Sequence, residues 1–217
     1  MTEAPSAAQR GLFFAFEGGE GAGKSTQLRM LSDELAGRGY EVVITHEPGD
    51  TPVGLRLREL LLDPATTVTA QTEALLYAAD RAEHVANVIA PRLASGAIVI
   101  SDRYLDSSIA YQGYARGLDI DVITRTSLWA TGGLLPDLTL LLDLDPEVGL
   151  RRARGRSGRL DRLEAEALDF HKRVREGFLT LAGAAPSRYA VVDAGLAPDQ
   201  VADAVLAAVN PLLAVVT

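Results

Sequence analysis

No cysteine occurs among the 217 residues. A disulfide framework and a thiolate-ligated metal site are therefore excluded, and the composition is compatible with a reducing cytoplasm. An excess of basic charge is also missing: 21 Lys and Arg stand against 29 Asp and Glu, a net charge of −8. A general nucleic-acid-binding surface is not expected on such a chain. Phosphate binding stays open wherever the arginines gather in one place. Long apolar runs are absent too. The stretch Leu138–Leu144 is apolar but short and holds an acid, far from the roughly 20 residues of a membrane span. Residues 1–10 lack the basic start and apolar run of a secretory signal and read as a flexible leader. No membrane or nucleic-acid partner is expected, and the location expected is cytoplasmic.

What is present suits one domain over residues 11–217. Apolar residues make up 47% of the chain, enough to bury a sizeable core. Short apolar segments at Leu12–Phe16, Val42–Thr45, Ile98–Ser101, Leu138–Leu144 and Tyr189–Val192 read as buried strands. Helical patterns lie between and after them, at Lys24–Ala36, Val53–Leu62, Thr69–Leu93, Pro146–Ala153, Leu160–Leu181 and Pro198–Val209. Arg154–Arg159 reads as a glycine- and arginine-rich break. The alternation predicts an α/β fold, a five-stranded parallel sheet with helices on both faces, and the Gly18-x-x-x-x-Gly23-Lys24-Ser25 loop after its first strand makes it P-loop NTPase-like. Ligands of such sheets sit at the carboxyl ends of the strands.

The first strand runs into Gly18-Gly19-Glu20-Gly21-Ala22-Gly23-Lys24-Ser25-Thr26, and a helix follows. This is the G-x-x-x-x-G-K-S motif in the context it requires. Glycines let backbone N–H groups converge on phosphate oxygens, and the helix amino end adds a positive field. Lys24 is expected at the β- and γ-phosphates and Ser25 at Mg²⁺. A glycine-rich turn that merely caps a helix is the competing reading, and the full motif in this context disfavours it. The third strand ends in Asp102-Arg103, an acid for the Mg²⁺ shell and a base for phosphate. Asp143 and Asp145 also end a strand, but they precede Pro146, where acids commonly cap a helix. Arg151, Arg152, Arg154, Arg156 and Arg159 crowd nine residues with two glycines, which reads as a mobile lid over about 151–160 or as a solvated basic helix end.

Several segments together resemble the thymidylate kinase family, which phosphorylates dTMP with ATP. They are Phe16–Thr26, His46-Glu47-Pro48-Gly49-Asp50-Thr51, Tyr77-Ala78-Ala79-Asp80-Arg81, Asp102-Arg103-Tyr104, Ala110-Tyr111-Gln112-Gly113, Pro136-Asp137-Leu138-Thr139 and Asp161-Arg162-Leu163-Glu164. Their joint order covers nearly the whole chain. The resemblance implies that Glu20 contacts the deoxyribose 3′-hydroxyl, that Arg103 and Arg58 serve the acceptor phosphate, and that Tyr77 stacks on thymine where the family usually has phenylalanine. It further implies Arg81 at the base O4, Ser108 and Gln112 at the base edge, and Tyr111 beside ribose C2′. Glu47 is expected to order the acceptor or metal site, and a cis bond before Pro48 is possible. Two positions depart from the family's Arg-Glu-Pro-Gly-Gly-Thr, namely His46 and Asp50. The arginine's role is thereby in doubt, and Asp50 stands where a positive-φ turn favours glycine.

Gly21 occupies the place where some members carry a basic residue. The resemblance then implies the bacterial type, with catalytic Arg154 and Arg156 in the lid and Arg152 near the adenine. It also implies a homodimer, through a surface that includes the helix Thr69–Leu93. Competing readings are a kinase for another nucleoside or nucleotide and a P-loop regulator that binds ATP without turnover.

Overall fold

The structure is a computed structural model and describes residues 10–157 and 161–214, without the side chains of residues 156 and 157. Five strands form its sheet: β1 (Phe13–Glu17), β2 (Val42–His46), β3 (Ile98–Asp102), β4 (Leu138–Asp143) and β5 (Tyr189–Asp193). All pairings are parallel, in the order β2-β3-β1-β4-β5. Register aligns the carboxyl ends, with Phe16 and His46 both opposite Asp102. The last residues of β1, β2 and β3 therefore finish on one level.

β1 has a neighbour on each side and is buried along its whole length. Its side chains alternate between the two faces, as the period of two demands. Phe14 and Phe16 pack on one layer with Leu28, Leu31 and Leu35 of α1 (Lys24–Gly37). Val201, Val205, Val209 and Leu213 of α9 (Pro198–Leu213) join that layer, four residues apart and so on one helix face. Phe13 and Ala15 face the other layer, where Tyr104 meets the Phe13 ring edge-on at 4.9 Å between centroids. Each fully buried phenylalanine contributes about 1.5–3 kcal/mol.

On that second side lie α2 (Pro52–Leu62) and α3 (Ala70–His84), the latter continued by a π-helical segment Val85–Ile89 and by α4 (Ala90–Ala94). This run matches the long helix expected from Thr69. Two further helical pieces were not expected from the sequence. One is α5 (Leu105–Ser108) with its π-helical continuation Ile109–Ala115, and the other is α6 (Ile120–Ala130). The expected break at Arg154–Arg159 is corrected in part: α7 (Pro146–Ser157) runs straight through Arg154 and Gly155. The helix expected from Leu160 begins only at α8 (Leu168–Ala184). Before it, Asp161 Oδ1 accepts from Leu163 N and Glu164 N, a side-chain turn that competes with helix.

The helix starts differ in a way that matters for the site. Thr51, Thr69 and Asp119 cap α2, α3 and α6 with side-chain oxygens. α1 starts on Gly23, at φ 90°, with no side-chain cap. Its first N–H groups are thus left for an anion.

Candidate active site

The loop Gly18–Gly23 leaves β1 and wraps the amino end of α1. Lys24 Nζ donates to the carbonyls of Gly18 and Gly19 at 3.0 and 3.1 Å, so the ammonium is drawn over the loop. Burial and the neighbouring Arg103 lower the Lys24 pKa, against the pull of Glu20 and Asp102. Ser25 Oγ donates to Asp102 Oδ2 at 3.2 Å. Two hard oxygen donors therefore stand together at the mouth of the loop. Mg²⁺ is commonly held by one or two such groups, with phosphate and water completing the octahedron. No cluster of three or more His, Asp or Glu suited to a metal occurs among the described residues. Asp145 Oδ1 accepts from Glu147 N at 2.8 Å, and Asp143 is bidentate to Arg175 at 2.7 and 2.8 Å. Asp145 thus caps the start of α7, as its place before Pro146 suggested, whereas Asp143 is held by an ion pair and not as a cap.

Arg103 follows β3 in the left-handed region at φ 72°, which no other described non-glycine residue adopts. Such strain persists where surrounding contacts overdetermine it. Its NH2 group donates to Glu20 Oε1 at 2.6 Å, and its NH1 group to Gly18 O and Ser107 Oγ, each at 3.2 Å. The guanidinium also lies over the Tyr111 ring, 4.9 Å from its centroid. Tyr111 OH donates to Glu20 Oε1 at 2.7 Å. Glu20, Arg103 and Tyr111 thus form one cluster beside Lys24, because Arg103 and Lys24 share the Gly18 carbonyl. Burial raises the Glu20 pKa, but Arg103, Lys24 and the Tyr111 hydroxyl outweigh it and bring it down to about 2.

Glu17 was not singled out from the sequence and anchors this cluster from below. Its Oε1 accepts from Tyr104 N and Ser107 N at 2.9 and 3.0 Å, and its Oε2 from Ser107 Oγ at 2.6 Å. It thereby fixes the start of α5 and the serine that touches Arg103. The only sequence signal was an acid buried at the end of an apolar strand.

Further along the cleft, Tyr77, Ser108, Tyr111 and Gln112 line one wall, and Arg58 and Pro48 another. Arg58 NH1 donates to Pro48 O at 2.7 Å, and the Glu47–Pro48 bond is cis. Arg81 lies behind the wall, 1% exposed. It donates from Nε to Glu47 Oε2 at 2.7 Å, from NH1 to Ser108 Oγ at 3.0 Å and from NH2 to Tyr104 O at 3.1 Å. One hydrogen on each terminal nitrogen is left over. Asp80 does not pair with it; Asp80 Oδ1 accepts from Gly49 N at 3.0 Å. Tyr77 is buried, and burial together with Glu73 raises its phenol pKa.

Both Glu47 carboxylate oxygens are engaged, Oε2 with Arg81 Nε and Oε1 with His84 Nδ1 at 3.0 Å. The chain of contacts continues: His84 Nε2 meets the Thr45 hydroxyl, which donates to Asp50. This is where the departing Asp50 goes. The positive φ expected to strain it falls on Gly49 instead, at 120°. His46 Nδ1 lies 3.8 Å from Asp50 Oδ1.

The lid arginines separate from the rest. Arg152 NH1 donates to Ala194 O at 3.0 Å, in the loop between β5 and α9. Arg154 is exposed on α7 and does not line the cleft. The side chain of Arg156, and Arg159, lie outside the described residues. At its base α7 touches the phosphate loop. A Cβ on Gly21 would sit 2.1 Å from Gly149 O, and one on Gly149 would sit 2.2 Å from Glu20 O. A basic side chain at position 21 has no room here.

A glycine loop opening a helix, a serine–aspartate oxygen pair and an arginine-bearing extension of the same cleft in one parallel sheet define a P-loop nucleotide kinase. The family model for thymidylate kinase matches residues 16–205. A thymidylate kinase of Gloeobacter violaceus is 53% identical over 203 residues, 93% of this chain and 96% of that one. One of Deinococcus radiodurans is 50% identical over 201 residues, 93% and 97% of the two chains. The crystal structure of thymidylate kinase from Ehrlichia chaffeensis superposes with a TM-score of 0.70 at 34% identity, covering 84% of this chain and 93% of that one. The chain belongs to the thymidylate kinase family.

Proposed function

We propose that the chain transfers the γ-phosphoryl group of ATP to dTMP, giving ADP and dTDP for dTTP synthesis. The observation that carries this reading is that Glu20, a residue of the phosphate loop, is bonded to Arg103 and Tyr111 of the neighbouring pocket. Donor and acceptor sites on either side of that glutamate bring the two phosphates face to face. In this reading Gly18–Thr26 hold the ATP phosphates, with Lys24 at the β- and γ-groups and Arg152 toward the adenine. Arg103 and Arg58 take the acceptor phosphate, Glu20 the 3′-hydroxyl, and Tyr111 the face of the sugar at C2′. Tyr77 stacks on the base, while Arg81, Ser108 and Gln112 read its polar edge, and Glu47 holds Arg81 in place.

Ser25 and Asp102 are the residues that hold Mg²⁺, which when bound neutralises charge on the phosphates. No general base is needed, because the acceptor is already an anionic oxygen. Positioning and charge neutralisation carry the rate. Arg154 and Arg156 supply the lid's positive charge to the phosphate in flight. The apolar Leu75 of α3 and Trp129 of α6, 62% and 83% exposed, support a homodimer through this side of the molecule. A cytoplasmic location goes with the reading, where ATP is at hand. No helix among the described residues is long and apolar enough to cross a membrane.

A coupled ADP-release assay with dTMP, dUMP, dCMP and thymidine tests the proposal. Turnover should be fast with dTMP and weak with dCMP and thymidine. Equal turnover with dCMP sinks the thymine-selecting role of the pocket. Failure with every acceptor favours a regulator that binds ATP without transfer.

A further inference from the structure

Glu73 lies in the first turn of α3 and is 1% exposed, although it is charged. Its Oε1 accepts from Gln112 Nε2 at 2.9 Å and from Arg116 Nε at 3.2 Å. Its Oε2 accepts from Arg116 NH2 at 3.2 Å and pairs with Arg162 NH1 at 2.6 Å. Burial alone raises the carboxyl pKa, but the hydrogen bonds of Arg116, Gln112 and Arg162 outweigh burial and lower it. The group is a carboxylate at neutral pH.

That charge state has a consequence for its neighbour. A carboxylate has no hydrogen to give, so it accepts only. The Gln112 amide must then turn its NH₂ toward Glu73. Its Oε1 is the polar atom left for the cleft that Gln112 lines, and no described residue hydrogen-bonds that oxygen. A free glutamine can flip its amide and serve a donor or an acceptor equally well. Gln112 cannot do so beside Glu73.

We propose that Glu73 is a specificity-determining positioning residue, which fixes the Gln112 carbonyl toward the base so that the site demands a ring N–H. The inference rests on the reading that the acceptor base sits against Gln112. Thymine and uracil offer N3–H to that carbonyl and O4 to the spare hydrogens of Arg81. Cytosine inverts both, with a bare N3 and an amine at position 4. Lone pair then faces lone pair at Gln112, and the amine faces the guanidinium. Rejection by unpaired buried polar groups is the strongest discrimination a pocket can exert.

Glu73→Gln tests this. The substituted amide can pair with Gln112 in either orientation, so Gln112 is free to flip. The kcat/KM ratio of dTMP to dCMP should fall by about tenfold or more, the scale of one mispaired buried hydrogen bond. The ratio of dTMP to dUMP should not move, because thymine and uracil offer the same N3–H and O4. Arg116→Ala serves as the control: it removes an ion-pair partner of Glu73 and keeps the Gln112 contact, so selectivity should stay. If Glu73→Gln does not fold, Glu73→Asp retains the charge but draws the carboxylate back from Gln112, and its dTMP to dCMP ratio decides. An unchanged ratio in the folded variant, or an equal fall in Arg116→Ala, overturns the inference alone. A wild-type enzyme that does not turn over dTMP overturns the proposed function, and this inference with it.

Discussion

Glu17 and Glu20 are three residues apart, and although burial raises the pKa of both, their neighbours send them in opposite directions. Glu17 is sealed beside Asp106, and burial with that acid pushes its pKa from 4.5 up to about 7. Glu20 faces Arg103 and Lys24 and is brought down to about 2. The signs follow by linkage. Between about pH 4.5 and about 7 the folded chain holds a proton on Glu17 that the unfolded chain has lost, so stability falls as pH rises through that window. Glu20 adds stability that is present above about pH 4.5 and is lost as pH falls toward about 2. Glu17→Gln should therefore gain stability relative to wild type between pH 5 and 8, on the order of 2–3 kcal/mol. Urea midpoints at the two pH values check it, and a difference that does not change with pH refutes the assignment. At the same scale, Arg156→Ala tests the proposed role of the lid. Arg156→Ala is expected to lower turnover by about 10²-fold or more while dTMP affinity shifts by less than about threefold. Calorimetric titration of dTMP beside single-turnover rates reads both quantities, and a loss confined to dTMP binding means that the lid was wrongly assigned.

The element that would link the proposed lid to the phosphate loop is α7. Gly149 in its second turn abuts the loop backbone, with room for no Cβ against Glu20 O. Backbone meets backbone here, so neither side can swing aside as a flexible side chain would. Gly149→Ala should push the base of α7 and the loop apart by a fraction of an ångström or more. Displacements of this size at a reacting centre cost on the order of 10- to 100-fold in rate. The expected result is a folded protein with lowered kcat and near-normal dTMP affinity. Circular dichroism and steady-state kinetics on the variant suffice, and an unchanged kcat shows that the contact is packing alone. The uncapped amino end of α1 belongs to the same design, since a serine or aspartate cap would fill the place of an anion.

For the whole molecule, the sheet edges and faces are not covered equally. α2 packs on α3 and α3 on α6, and their outer sides expose Val53, Leu55, Leu75, Val122 and Trp129. Apolar side chains gathered on adjacent helices are the surface that the proposed dimer would cover. Trp129→Glu together with Leu75→Glu should turn the proposed dimer into a monomer, read by light scattering at micromolar concentration. A wild-type protein already monomeric under those conditions removes the basis of the dimer. Tyr77 and Arg81, the residues proposed to read the base, sit on the same α3, so loss of the dimer is expected to raise KM for dTMP as well.

Much of this was legible in the chain itself, for local reasons. The P-loop needs glycines, a lysine and a serine at fixed offsets because a backbone must close around phosphate, and strand–loop–helix context is a sequence pattern. Five strands showed as short apolar runs, and Asp102 as an acid ending one of them. Other features left no local trace. Residues 105–113 are all buried, so α5 and its continuation show no amphipathic period. In α6 the apolar Ile120, Val122 and Trp129 point outward, which blurs the period there. Gly155 suggested a break, yet the arginines and alanine around it are good helix formers and carry α7 through. Only the tertiary structure decided which carboxylate serves which partner. Glu47 meets Arg81 across 34 residues, Glu73 meets Gln112 across 39, and Glu17 meets Ser107 across 90. Spacing along a chain carries no record of such pairs, because what selects them is the shared burial of groups that the parallel crossovers bring to one end of the sheet.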